Sequence, residues 1–317
     1  MHLQHPPRKD CETVLNFRQS PNLSPLETCS GQISPWVSEK WVGVMSYGFA
    51  GAGALDYFPC RYGQSRSVFR GPPRDLSRPY VAVLGGSQTV GKYVAAPFTT
   101  LVEEATGHPV VNLGSQNAGV ELYLADPATL EVASRARLAV VQITGAECLS
   151  NRFYTVHSRR NDRFLAARPA LTALFPEVEL TDIHFTRHLM LVLRAAGEDR
   201  FATLVAHLKA NWLGRMGQLL ANLPARRVLL WMADAPLPDC ADDPATGPMF
   251  VDCAMVDALM PRVAHLVEVV PSAAARAEGL CRMQFPDGEQ ETARLLPGVT
   301  AHGEVARALA PVVRGLF

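Results

Sequence analysis

Pro79-Tyr-Val-Ala-Val-Leu-Gly-Gly-Ser-Gln-Thr-Val-Gly91 decides the fold. Tyr80 to Leu84 is a short apolar, β-branched run, the pattern of a strand buried on both faces. At Gly85 and Gly86 the backbone is free to turn where a Cβ would clash. Ser87 then falls just past the strand's carboxyl end, at a helix start. Open α/β sheets place ligands and reactive groups there. Free N–H groups at a helix start face an anion or a developing oxyanion. Val110-Val-Asn-Leu-Gly-Ser-Gln-Asn-Ala-Gly119 follows, a second strand and a second glycine turn. Between the two, Tyr93 to Ala105 carries Val94, Phe98, Leu101, Val102 and Ala105 as one apolar helical stripe, ended by Gly107-His108-Pro109.

Working outward, Leu138 to Thr144, Arg227 to Asp234 and Leu266 to Val270 read as further strands. Helical patterns cover Phe164 to Leu174, Asp182 to Ala196, Phe201 to Leu223 and Phe250 to His265, the last broken at Pro261, and a closing helix starts at about Ala301. Asp126-Pro127 is a cap-like helix start. Ala235 to Pro248 is a Pro- and Asp-rich loop, long enough for a lid or a surface excursion.

Residues 1–78 are different: rich in Pro, Ser, Gly and Arg, with no sustained period. Ser34 to Trp41 fits a short helix, and Val42 to Tyr57 a loop or small strand pair. Trp36, Trp41, Tyr47, Phe49, Tyr57 and Phe58 are too many aromatics for a disordered tail. The segment reads as an irregular extension packed on the main domain of residues 79–317, or as an arm for a protein partner or a second copy. Gly71-Pro-Pro-Arg-Asp marks the boundary.

Lys plus Arg is 30 and Asp plus Glu is 30, so no global field recommends nucleic acid or an acidic membrane as partner. The amino-terminal residues lack the apolar core of a secretory signal, and no apolar run is long enough to span a bilayer. The seven cysteines are scattered, odd in number and without Cys-x-x-Cys. Reduced thiols in a cytoplasm are therefore expected, rather than a disulfide frame or a zinc knuckle.

Gly85-Gly-Ser-Gln-Thr-Val-Gly91 resembles the first block of the SGNH/GDSL hydrolase superfamily, Gly-Asp-Ser-x-Thr-x-Gly. Val110-Val-Asn-Leu-Gly114 resembles its second block. The resemblance, to a divergent bacterial member, is carried by residues 79–151. It implies a three-layer α/β/α fold with a mostly parallel, flavodoxin-like sheet, and Ser87 as nucleophile of an esterase or acyltransferase without a cofactor. Gly86, in the place of the block-one Asp, and Gln88 would flank the substrate. The N–H groups near Ser87 and in the Asn117–Gly119 turn would hold the oxyanion. The family's third block is Gly-x-Asn-Asp; here it reads Gly145-Ala-Glu147-Cys148, and Asn151 is the candidate substitute. The family's Asp-x-x-His before the last helix points to His302 as the base, with Val299 where the Asp would stand; in a second register His302 is the histidine that opens the helix just beyond, and the catalytic histidine is missing. Asp234, Asp287, Glu291 and Glu304 remain open as its acidic partner.

Asn151-Arg-Phe-Tyr-Thr-Val-His-Ser-Arg-Arg-Asn-Asp-Arg-Phe164 is the most unusual stretch. Guanidinium groups bind phosphate, sulfate or carboxylate, and aromatics stack on sugars. Arg152, Tyr154, His157, Arg159 and Arg160 are thus candidates to hold an anionic or glycosidic part of a substrate. The alternative is a solvated loop with Arg–Asp162 pairs. His184 and His188 share a helix face, but the zincin glutamate and a third ligand are missing, so no metal is expected.

Three functions follow in order: an SGNH-type esterase or acyltransferase acting on a small-molecule, glycan or lipid ester; a catalytically inactive binding or structural module on the same scaffold; and sulfuryl or phosphoryl transfer. The last lacks the P-loop ending, since Lys92 is followed by Tyr93.

Overall fold

The structure, a computed structural model, describes residues 54–317. The readings made for residues 34–53 lie outside the described residues.

The elements in chain order are β1 (Val81–Leu84), α1 (Ser87–Val90), α2 (Phe98–Thr106), β2 (Val110–Asn112), α3 (Val120–Ala125), α4 (Pro127–Ser134), β3 (Leu138–Gln142), β4 (Tyr154–Val156), β5 (Phe164–Ala167), α5 (Pro169–Leu174), α6 (Thr186–Ala196), α7 (Glu198–Ala221), β6 (Arg227–Met232), α8 (Cys253–Asp257), a 3₁₀ turn (Met260–Arg262), β7 (His265–Val269), α9 (Ala273–Glu278), α10 (Gln290–Arg294) and α11 (Val299–Leu316). Five strands form one sheet in the order β2-β1-β3-β6-β7, every pairing parallel. Counted among themselves these strands run 2-1-3-4-5, the flavodoxin-like order, whose switch point lies between β1 and β3.

Strand residues alternate between two cores, as the period of a strand requires. Ala82, Leu84, Ala139, Val141 and Leu229 face α3 to α8. Val81, Val83, Val140, Val228 and Leu230 face Phe98 and Val102 of α2 and Val305, Leu309 and Val313 of α11. The protein is therefore an α/β fold of three layers, as expected. The apolar stripe of α7, from Phe201 through Leu208 and Trp212 to Leu220, is buried along a helix of 24 residues, about 36 Å long at 1.5 Å per residue. Asp126 caps α4 by accepting from Thr129 N–H, with Pro127 at the first position, as the sequence suggests. Among the described residues no helix is long and apolar enough to cross a membrane.

Residues 54–78 pack on the sheet domain. Tyr62 and Phe69 join the larger core. The Ser65 hydroxyl donates to Asp126 Oδ2 at 2.6 Å. Arg70 is buried, and its guanidinium donates to the carbonyls of Val90, Gly91 and Ala95 at 3.0, 2.8 and 2.7 Å.

Three helix expectations are corrected. The stripe of Tyr93 to Ala105 is helical only from Phe98, because Tyr93 stands at φ 71°. Phe250 to His265 is not one broken helix but the short α8 and a 3₁₀ turn, with His265 opening β7. Phe164 to Leu174 is not one helix: Phe164–Ala167 pairs antiparallel with Tyr154–Val156 in a hairpin, and the helix starts only at Pro169. Pro169 explains the boundary, because the residue before a proline is pushed out of the helical region.

Candidate functional site

The carboxyl ends of β1 and β3, at the switch point, build the site. Gly85 leaves β1 where two side chains crowd its backbone. A Cβ there would lie 2.1 Å from Thr89 Oγ1 and 2.4 Å from Gln142 Oε1. Gln142, on β3, accepts from Thr89 Oγ1 at 2.7 Å and from Gly86 N–H at 3.1 Å. Its own amide donates to Gln88 Oε1. The Tyr123 hydroxyl accepts from Gly85 N–H at 2.7 Å. The turn that presents Ser87 is thus held from below by β3 and from the side by α3. Neither Gln142 nor Tyr123 has a local sequence signal, because both act through folding.

Ser87 is half-buried, at the first position of α1. That helix is a single turn, so it lacks the aligned peptides that a dipole argument needs. Ser87 is engaged instead by Asn117. Its hydroxyl donates to Asn117 Oδ1 at 3.0 Å and accepts Asn117 N–H at 3.1 Å. Asn117 sits at φ 55°, a left-handed conformation that asparagine tolerates. Its Nδ2 donates to Asp162 Oδ2 at 2.9 Å. A chain of hydrogen bonds therefore runs from Ser87 through Asn117 to Asp162.

Asp162 comes from the loop of the β4–β5 hairpin, beside Asn161. Asn161 is fully buried. Its Oδ1 accepts from Gly119 N–H at 2.6 Å and Leu122 N–H at 3.2 Å, and its N–H donates to Asn117 O at 2.9 Å. The hairpin loop is thereby fastened to the turn after β2.

A carboxyl cluster lies at the end of β3. Glu147 is 7% exposed. It folds back over Gly145, where a Cβ would fall 2.0 Å from Glu147 Oε2. Burial pushes its carboxyl up to about 7. Cys148 donates to Glu147 Oε1 at 3.3 Å, and burial raises its thiol well above the usual value. Burial also raises the Asp162 carboxyl, against the pull of Arg163 and Arg160. Glu147 Oε2, Asp162 Oδ1 and Thr144 Oγ1 are buried without a protein partner.

The other expected site residues are placed as follows. Gly119 N–H is spent on Asn161, so it is no oxyanion donor in this arrangement. Asn151 is buried in a local turn, accepting from Phe153 and Tyr154 N–H and donating to Leu149 O; it does not substitute for the third-block asparagine. Tyr154 is buried and donates to Glu147 O at 2.8 Å, so its ring is not free to stack on a sugar. His157 Nδ1 accepts from Arg159 and Arg160 N–H and shapes the hairpin loop. Arg152, Arg159 and Arg160 are exposed.

His302 is the main correction. It is fully buried at the start of α11, and its Nδ1 accepts Phe98 N–H at 3.1 Å. Its ring stacks on Phe98, with centroids 5.8 Å apart. Burial lowers its pKa to about 3, so it is held neutral, and its Nε2 has no protein partner. It makes no hydrogen bond to Ser87, nor to Asp234, Asp287, Glu291 or Glu304. Glu304 instead accepts Ser272 N–H. Among the described residues no imidazole hydrogen-bonds to Ser87. His184 and His188 are exposed, and no group of three or more His, Cys, Asp or Glu side chains suited to a metal ion occurs among the described residues.

No curated protein matches the chain by sequence. The family model described as Domain of unknown function (DUF6473) matches residues 45–317, a span that takes in every described strand and helix, and the chain belongs to that family.

Proposed function

We propose that the domain is a ligand-binding module on an SGNH-like scaffold, with the mouth around Ser87 and Asn117 as its site. One observation carries this reading: the Ser87 hydroxyl is closed onto Asn117, while the candidate base His302 is committed to Phe98. A serine needs a base within hydrogen-bond reach to become a nucleophile. In the register in which His302 only opens the last helix, residues 266–301 hold no histidine to act as the base. The neutral overall charge favours a small molecule over nucleic acid, and the arginines of the hairpin favour an anionic or carbohydrate one. Cys60, Cys148, Cys240, Cys253 and Cys281 are unbridged, which supports a reducing, cytoplasmic compartment.

A second reading, acyl transfer at Ser87, is favoured by Asn117 N–H, 3.1 Å from Ser87 Oγ. That amide is spent on the Ser87 oxygen in this arrangement and serves an oxyanion only once Ser87 attack frees it, a contribution of about 3 kcal/mol per donor. Treatment of the folded full-length protein with a fluorophosphonate probe separates the two. The binding reading expects Ser87 to stay unlabelled. Labelling that disappears in Ser87→Ala would replace it with the acyl-transfer reading.

A further inference from the structure

The arginines of residues 152–168 are used differently from most others in the chain. Arg70, Arg74, Arg194 and Arg200 spend their guanidinium groups on protein acceptors. Arg152, Arg159, Arg160, Arg163 and Arg168 are all exposed, and their guanidinium groups donate to no acceptor among the described residues. Residues 152–168 hold five arginines and one acid, Asp162, in a chain whose formal net charge is zero. Asp162 accepts no hydrogen bond from them: its Oδ2 accepts Asn117 Nδ2, and its Oδ1 is buried without a protein partner.

The tip that carries Arg159, Arg160 and Arg163 is fixed. Asn161 lies between them in sequence and is clamped to the turn after β2 through its N–H and its Oδ1, while its Nδ2 donates to His157 O within the hairpin at 2.9 Å. The backbone N–H groups of Arg159 and Arg160 close on His157 Nδ1 at 3.1 and 3.2 Å. Arg160 and Arg163 both act electrostatically on Asp162, which is itself two hydrogen bonds from Ser87. A backbone held in this way presents guanidinium forks that have no acceptor among the described residues, Arg163 resting over the Phe185 ring, and such forks match a tetrahedral oxyanion because each donates two parallel bonds.

We propose that Arg159, Arg160 and Arg163 form the subsite for the phosphate or sulfate group of a small-molecule ester whose remainder lies at the Ser87–Asn117 mouth. The subsite rests on the reading of that mouth as a ligand site, and it names the class of ligand.

Calorimetric titration of the full-length protein with inorganic phosphate and with sulfate, at fixed low chloride, tests it. Both anions are expected to bind. Arg160→Ala and Arg163→Ala are expected to weaken binding at least tenfold, whereas Arg66→Ala and Arg78→Ala, exposed arginines off the hairpin, leave it unchanged. Asp162→Asn, which removes the opposing charge and keeps an oxygen for Asn117, is expected to tighten it. These side chains are at the surface or isosterically replaced, so folding is preserved. Absence of binding, or binding weakened equally by the hairpin and control variants, overturns the subsite. Binding that survives both hairpin substitutions overturns it too, whatever Ser87→Ala does. The mouth itself is judged separately, by the fluorophosphonate experiment.

Discussion

Asn117 grips Ser87 with two hydrogen bonds, giving its backbone N–H to the Ser87 oxygen and taking the Ser87 proton on its side-chain carbonyl. An amide oxygen is too weak a base to keep that proton, so the pair orders the serine without activating it. The same asparagine is the only link in this chain of bonds between Ser87 and Asp162.

Asn117 therefore separates two roles, conformation and contact. Asn117→Gly keeps the φ of 55° available at no steric cost but deletes the side chain. Asn117→Ala deletes the side chain and adds a Cβ penalty of about 1 kcal/mol. Urea unfolding is expected to rank wild type, Gly, then Ala in falling stability. An Ala variant more stable than the Gly variant would contradict the left-handed assignment.

Gly85 and Gly107 offer a comparison of crowding with conformation. Alanine at Gly85 meets Thr89 and Gln142 at impossible distances, while alanine at Gly107 meets open space at φ 71°. Gly85→Ala is expected to cost about 3 kcal/mol or more, as overpacking against a hydrogen-bonded core does. Gly107→Ala is expected to cost about 1 kcal/mol. Melting temperatures of the two variants measure the difference, and similar values would refute the crowding account.

His302 links stability to acid. Its pKa falls from 6.5 to about 3 on folding, so between those values the unfolded chain binds the proton and the native protein does not. Its contribution is complete above pH 6.5 and is lost as pH falls toward 3, with a ceiling of about 5 kcal/mol. Denaturation of wild type and His302→Gln from pH 7 to pH 4 should show a shallower acid loss in the variant. Parallel curves would mean that other groups set the acid limb.

Glu147 acts with the opposite sign. Its carboxyl rises from 4.5 to about 7, so the native state holds the proton more tightly than the unfolded chain. Stability is therefore expected to fall as pH rises from 4.5 to 7, by a few kcal/mol at most. Glu147→Gln removes the titration and keeps the shape. Its stability relative to wild type should be higher at pH 8 than at pH 5, and an unchanged difference between the two would rule out a buried, titrating Glu147.

The fold was legible where chemistry and neighbours in sequence coincide. Gly85-Gly86-Ser87 and Asn117 could be located because a glycine turn after a buried strand is a local event. His302 could be located but not understood, because its partner Phe98 is 204 residues away. The hairpin was hidden for a related reason: strands of three and four residues carry too few side chains to show a period. Asn161 carries no signal of its own between arginines whose charge dominates the stretch, and Asp162 shows in the sequence only as an ion-pair partner for them. Glu147 stood in view at the third block, but its burial, which sets its chemistry, comes from elements that sequence spacing does not reveal.

Arg70 has a practical consequence for anyone trimming the protein. Its guanidinium covers three carbonyls at and beyond the end of α1 and rests 5.3 Å from the Tyr57 ring. Cutting at the composition boundary, before residue 79, would strip those carbonyls of their donor and leave the serine turn without its brace. A shortened version meant to keep the turn intact must begin upstream of Tyr57, and any fusion belongs ahead of that point.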